Sequence, residues 1–388
     1  MRLHKLSNLP YLALVIIFEH MDPINLFNLS LISKRLMTAI SMYRLKSAVC
    51  NIKLRTTFRG EISIQITFPS QFVLTWKFAA VHDARRMAID GPTFPLVIQG
   101  TTLESCARHT ESNTIYTFGP SLDASLKLVT EYLFDLFACN IHQIDMDQHV
   151  FSEMPLYSEF LKTNKCELLT LRANESTSKE NVEEILDCFK TTKTVDIGCY
   201  EGGEVDVRKL ENLDKVRLND ALWMSSESFL KLNCKRIEIG ESRLDGVDMN
   251  TFINQWQRGE KENLVALSVG YEDRSEMDAT DVLSGIQLET WNKKKRHRYY
   301  RLGQNLAYDC CHGLDFLSDS GKMGTVLFEK HQLHFFVWHE RFPDFTLPPG
   351  QYFTKTPRIA LLEARYPVPS VFQFVRETLW DQECRVEL

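Results

Sequence analysis

No apolar run in this sequence approaches the ~20 consecutive residues that a bilayer crossing requires. The longest one lies near the start, Tyr11 to Phe18. Arg2 and Lys5 precede it as a charged flank would precede a secretory signal. Glu19, His20, Asp22 and Pro23 follow where a small-x-small cleavage site belongs, so the run is not read as a signal. The expectation is a soluble chain with no membrane partner. Glycine is sparse, at 17 of 388 residues, and no glycine-rich phosphate-binding turn occurs. Ser320-Gly321-Lys322 resembles the end of such a loop. Phe316 stands where its first glycine would be, and Met323 replaces the Ser/Thr, so the triplet reads as a turn into a strand.

The 10 cysteines include no C-x-x-C pair. Without a signal, scattered cysteines fit reduced thiols of the cytosol or nucleus better than a disulfide framework. Asp309-Cys310-Cys311-His312 lacks a second Cys/His pair at zinc spacing, and His331, His334, His339 and Glu340 surround a hairpin. Neither group predicts a metal. No nucleophile–base pair or paired carboxylates stand out, and no cofactor is expected.

Charge is uneven. The first 50 residues carry a net +4 within a chain of net -6, which suits an acidic partner but is too little for nucleic acid. Lys293-Lys294-Lys295-Arg296-His297-Arg298, followed by Tyr299-Tyr300-Arg301, is the densest basic run. It is read as a solvated loop, with nuclear import or nucleic-acid stacking as rival readings.

Pro10 suits a first helical turn, and Leu12, Val15 and Ile16 fill a short helix. Asp22-Pro23 opens a second helix, with Asp22 as cap. Leu26, Leu29, Ile32, Leu36 and Ile40 then recur at three- and four-residue steps as one apolar stripe. Ile17, Phe18, Phe27 and Leu31 fall off it. About fifty residues cannot bury so many apolar faces alone, so a partner or the rest of the chain must cover some of them.

Leu9-Pro10, Val15-Ile16 with Phe18, Met21-Asp22-Pro23 and Leu29-Ser30-Leu31-Ile32-Ser33-Lys34-Arg35 together resemble the F-box. Leu36 stands where that motif usually has an aromatic residue. The resemblance implies docking on the Skp-type adaptor of cullin-RING ubiquitin ligases, through Leu9, Pro10, Ile16, Ile17 and Leu31.

Beyond residue 50 the period changes to two. Ile62, Ile64, Ile66 and Phe68, then Phe72, Leu74, Trp76 and Phe78, predict a β-hairpin across Pro69-Ser70-Gln71. From about residue 121 a helical face of Leu122, Leu126, Val129, Leu133 and Phe137 leads into short strand cores. These begin at Ile144, Leu169, Val195, Val216, Ile237 and Leu267. A strand and a helix roughly every 20–30 residues predict a leucine-rich-repeat-like solenoid, with an ordinary α/β sheet as the alternative. Alternation puts Asp145, Thr170, Asp196, Arg217, Glu238 and Ser268, with Arg172, on the face opposite the core. Such a stripe is either a substrate surface or a solvated sheet face.

Leu230-Lys231-Leu232-Asn233-Cys234, Ile237, Leu244, Asp248-Met249-Asn250, Phe252-Ile253, Trp256 and Gly259 resemble the nematode-expanded F-box-associated domain. Phe252, Ile253 and Trp256 share a helical face that Asp248 can cap and Gly259 can end. Met323–Phe328 and Leu333–Trp338 predict a second hairpin, and 371–380 a short helix.

The expected fold is α+β or α/β: a small helical F-box, an irregular repeat-like α/β solenoid, and flanking hairpins. The expected boundaries are 1–50, 51–120, 121–290 and 291–388. The two resemblances imply a non-enzymatic adaptor that joins a Skp-type adaptor and cullin scaffold to a protein substrate. An adaptor-binding scaffold outside any ligase, or an α/β enzyme with a helical cap, are the rival readings.

Overall fold

A computed structural model describes residues 8–43, 51–56, 62–68, 73–80, 93–107, 114–119, 122–137, 141–147, 165–172, 177–188, 190–198, 200, 202–271, 277–302, 306–329 and 331–342. The segment 371–380 lies outside these residues. The chain forms two compact units, 1–202 and 203–388.

The first unit opens with helices α1 (Tyr11–Glu19), α2 (Pro23–Ile32) and α3 (Lys34–Tyr43). Asp22 caps α2 as its sequence position predicts, its side chain accepting from the Asn25 amide at 2.8 Å. The apolar stripe needs one correction. Ser33 is extended between α2 and α3, so helical periodicity does not carry through it. Ile32 is therefore 53% exposed, while the off-stripe Phe18 and Phe27 are buried.

Strands β1 (Asn51–Thr56), β2 (Ile62–Thr67) and β3 (Val73–Ala80) follow, then β4 (Thr93–Ile98), β5 (Thr101–Ala107) and β6 (Thr114–Gly119). Helix α4 (Leu122–Phe137) leads to β7 (Gln143–Asp147) and β8 (Lys165–Arg172), and α5 (Lys179–Cys188) to β9 (Lys190–Gly198). β2 and β3 form the predicted hairpin, pairing Ile62 with Phe78 and Ile64 with Trp76. Within this unit the strand order is β9-β8-β7-β1-β2-β3-β6-β5-β4. β7, β8 and β9 are parallel and in chain order, whereas β1 runs parallel to β7 but antiparallel to β2. Leu126, Val129, Leu133 and Phe137 of α4 are buried, and Phe137 meets Phe68 edge-on at 5.3 Å.

The second unit contains β10 (Lys215–Ala221), α6 (Ser226–Lys231), β11 (Arg236–Ser242), α7 (Gly246–Gln257), β12 (Ala266–Gly270), α8 (Ala279–Val282) and the short β13 (Glu289–Thr290). β14 (Tyr299–Arg301), β15 (Ala307–Asp309), β16 (Leu314–Leu317), β17 (Met323–Phe328) and β18 (Gln332–Trp338) complete it. β10, β11 and β12 are parallel; β12, β18, β17 and β16 continue antiparallel, and β17–β18 is the predicted second hairpin. The architecture is thus mixed α/β behind a small helical region.

One face of this unit's sheet packs under α7. Trp256 stands edge-on to Phe335 at 5.0 Å and to Phe316 at 5.8 Å. Gly324 is needed beneath it, because a Cβ there would lie 2.7 Å from the Phe335 ring and 3.1 Å from Trp256. Gly259 ends the α7 segment with φ +87°, as its sequence position suggests. The cap differs from expectation. Asp245 is the N-cap, and Asp248 closes a reciprocal capping box from three residues inside.

The basic run is also corrected. Lys293, Lys294 and Lys295 form an exposed turn, but Arg296 is fully buried and Arg298 pairs with Asp309 at 2.8 Å. Arg296 donates to both Asp315 carboxylate oxygens and to the Cys310 carbonyl, and its guanidinium lies 4.9 Å from the Trp338 ring centroid. β14–β15 then covers the second face: Tyr300 stacks on Phe336 at 4.5 Å, and Tyr308 meets His334 at 4.8 Å. The Ser320–Lys322 triplet is the expected turn into β17, with Gly321 at φ +79°.

Candidate functional site

Helix α1 is apolar on two sides. Leu14 and Phe18, four residues apart, are 1% and 0% exposed and face the interior. Leu12 and Ile16, also four apart, are 76% and 59% exposed on the opposite side, with Tyr11 beside them at 41%. Pro10 is exposed, and Leu9, Ile17 and Leu31 are half-buried. Arg35 reaches back from α3 and donates to the Leu9 carbonyl at 3.4 Å, tying the Leu-Pro pair to the helices. Ile32 and Met42 add exposed apolar surface on α2 and α3. Large apolar side chains left in water at i and i+4 have the arrangement of a helix face meant to be covered. Sequence reasoning named Ile16 as a contact residue but not Tyr11, Leu12, Ile32 or Met42. Their composition matches that of core residues, and only burial separates them.

The polar stripe appears as two in-register rows, one in each unit. In the first, Asp145, Thr170 and Asp196 align across β7, β8 and β9. Asp145 is 5% exposed and is clamped by Arg172 through two 3.0 Å hydrogen bonds, so its carboxylate faces no open surface. In the second, Arg217, Glu238 and Ser268 align across β10, β11 and β12. Lys215 and Arg217 reach Glu238 at 2.6 and 2.7 Å. Burial opposes ionisation of Glu238, but these two cations outweigh it and hold the carboxyl below its usual range.

Ser268 Oγ lies 2.8 Å from His334 Nδ1, and His334 Nε2 lies 3.7 Å from Glu329. A serine beside a histidine invites a catalytic reading. Yet His334 is 1% exposed beneath Tyr308, whereas Ser268 is half-buried, so only the serine of the pair reaches the surface. Burial raises the Cys310 thiol, keeping it protonated and inert. Among the described residues, no cluster of three or more His, Cys, Asp or Glu side chains is placed to hold a metal ion. No described helix is long and apolar enough to cross a membrane.

The exposed face of α1 lies within a known domain. The family described as F-box domain matches residues 6–48, and the family described as F-box associated matches residues 207–269. The chain carries an F-box and an F-box-associated domain. The associated domain runs from the 3₁₀ turn Val207–Leu210 through β10, α6, β11 and α7 to β12, and the capping box and Trp256 fall inside it. Lys261 lies there as well, and sequence reasoning missed it. Its ammonium donates to the carbonyls of Leu230 and Leu232 at 2.6 and 2.7 Å, sealing the end of α6 within the Leu-Lys-Leu-Asn-Cys element.

Similar proteins match most of the chain's length. Uncharacterized protein F59B2.9 of Caenorhabditis elegans is 20% identical over 87% of this chain and 80% of its own length. Uncharacterized protein F59B2.8 of the same organism is 22% identical over 87% and 78%, and Uncharacterized protein F54H12.5 is 22% identical over 86% and 93%. No solved structure matches the chain.

Proposed function

We propose that this chain is the substrate-recognition subunit of a cullin-RING ubiquitin ligase, working in the cytosol or nucleus. Its F-box, within residues 1–50, binds a Skp-type adaptor through Leu9, Pro10, Ile16, Ile17 and Leu31, with Leu12 extending the same face. The observation that carries this reading is the pair Leu12 and Ile16, held in water on α1 inside the F-box match. Burying four or five such side chains contributes about 1.5–3 kcal/mol each before ordering costs.

Protein substrate is held by the repeat-like strand–helix segment within 121–290, along the accessible members of the polar row in each unit: Thr170, Arg172 and Asp196 in the first, Arg217, Glu238 and Ser268 in the second. Catalysis by such a subunit is positioning, which raises the effective concentration of substrate beside a separate ubiquitin-carrying enzyme. The test is co-purification of the full chain with a Skp-type adaptor and cullin. Leu9→Ala with Pro10→Ala should abolish adaptor capture and leave the second unit folded. Charge reversal at Arg217 and Glu238 should reduce substrate recovery and spare the adaptor. Normal adaptor capture by the first variant removes the reading; adaptor capture without cullin favours a scaffold.

A further inference from the structure

The three F-box helices are fastened to the first unit through contacts that their adaptor-facing side does not use. Phe27 of α2 is 1% exposed and meets Trp76 of β3 edge-on at 5.2 Å and Tyr132 of α4 at 6.1 Å. Ser30 Oγ donates to the Phe27 carbonyl at 2.6 Å, which leaves it to accept from the Tyr132 hydroxyl, also at 2.6 Å. Both residues are buried, at 4% and 3% exposure. A second tie runs from the Ser41 hydroxyl of α3 to the Asp135 carbonyl of α4 at 2.7 Å. Helix α4 presents Val129, Leu133 and Phe137 as buried core, with Phe137 against Phe68, so the helices are joined to an element already anchored in that core.

The buried hydroxyl pair is costly to leave unmade, because the Tyr132 hydroxyl would lose its acceptor without gaining water, while Ser30 keeps its bond to the Phe27 carbonyl. A dry Phe27–Trp76–Tyr132 contact adds aromatic burial to it. Apolar surface that sequence reasoning left for a partner or the rest of the chain to cover is thus divided: Phe27 and Leu36 are buried, whereas Leu12 and Ile16 stay exposed among the described residues.

We propose that the F-box helices are already folded in the free chain as part of the first unit, and that Tyr132 is a positioning residue that presents the outer face of α1 in its binding geometry. The second half rests on the adaptor reading above; the first half does not.

Hydrogen exchange on the full chain tests the first half without any adaptor. Peptides from 11–43 should be protected in the free protein to a degree comparable with 122–137. Tyr132→Ala should accelerate exchange in 11–43 by about tenfold or more and leave 236–257 unchanged. Exchange of 11–43 at the rate of an unstructured chain in the wild type overturns the proposal. Should Tyr132→Ala unfold the whole unit, Tyr132→Phe and Ser30→Ala carry the test. Each should speed exchange in 11–43 and spare 122–137, and equal acceleration in both segments overturns the positioning role.

Calorimetry with a purified Skp-type adaptor adds a readout that loose packing alone would not move. The wild type should bind as a preformed surface with a small heat-capacity change. Tyr132→Phe should bind with a more negative one, because folding then accompanies binding. Identical heat-capacity changes contradict the positioning role. Protected helices with no adaptor binding at all leave the folding inference standing and remove the adaptor reading.

Discussion

Arg296 shows how far a residue's role can lie from its sequence neighbourhood. It sits in a run of six basic residues, yet it is fully buried against Asp315, nineteen positions away. Burial raises the Asp315 carboxyl, and the Arg296 guanidinium and Thr325 hydroxyl partly offset that rise. Arg296→Leu should leave that carboxylate without its cation and destabilise the second unit by about 3–5 kcal/mol, read from denaturant unfolding. Adding Asp315→Leu should recover most of the loss; a single variant as stable as the wild type would show that the pair is dispensable. Glu238 gives a pH test. Lys215 and Arg217 outweigh burial and hold its folded carboxyl below the ordinary glutamate value of 4.5, so their stabilisation is present above that pH and lost as pH falls through the folded value. Glu238→Gln should flatten stability against pH in that acidic window and nowhere above it. An NMR titration placing Glu238 at or above 4.5 would contradict the assignment.

Elements were legible where their periodicity was local. The α7 face of Phe252, Ile253 and Trp256, its glycine end and both long hairpins can be read from spacing, because neighbouring residues decide them. The cap is a nearer miss. Asp245 and Asp248 both belong to the box, and either could open the helix on residue type alone. Asp245→Ala removes the acceptor for the Val247 and Asp248 amides and should cost about 1 kcal/mol. Asp248→Ala, which loses only the return bond, should cost less; the reverse order in thermal unfolding would restore Asp248 as the cap. Other elements were not legible. β1 carries only two apolar residues, and its place between β2 and β7 depends on β7, some ninety positions away. The cover formed by β14–β15 was hidden for a related reason. Tyr299, Tyr300 and Arg301 sit beside a lysine turn, and the contacts of Tyr300 with β18 are long-range.

At the scale of the molecule, each unit pairs a run of parallel strands, β1-β7-β8-β9 in the first and β10-β11-β12 in the second, with antiparallel neighbours, and the F-box is built into the first. The sequence carries the apolar run of α1 plainly. It does not say which of Leu12, Leu14, Ile16 and Phe18 face inward, since all four are equally apolar and only the fold sorts them. The polar stripe was legible in register but not in access, because Arg172 closes over Asp145 while the other strand positions stay half-buried. The central claim is that the outer side of α1 is the adaptor-binding face. Leu12→Asp with Ile16→Asp changes two side chains that touch water in the free chain, so melting temperature should be unchanged. Titration of this double variant against a purified Skp-type adaptor should show binding weakened at least about a hundredfold, since two lost apolar contacts amount to roughly 3–6 kcal/mol. A normally folded variant that binds the adaptor as tightly as the wild type would contradict the account.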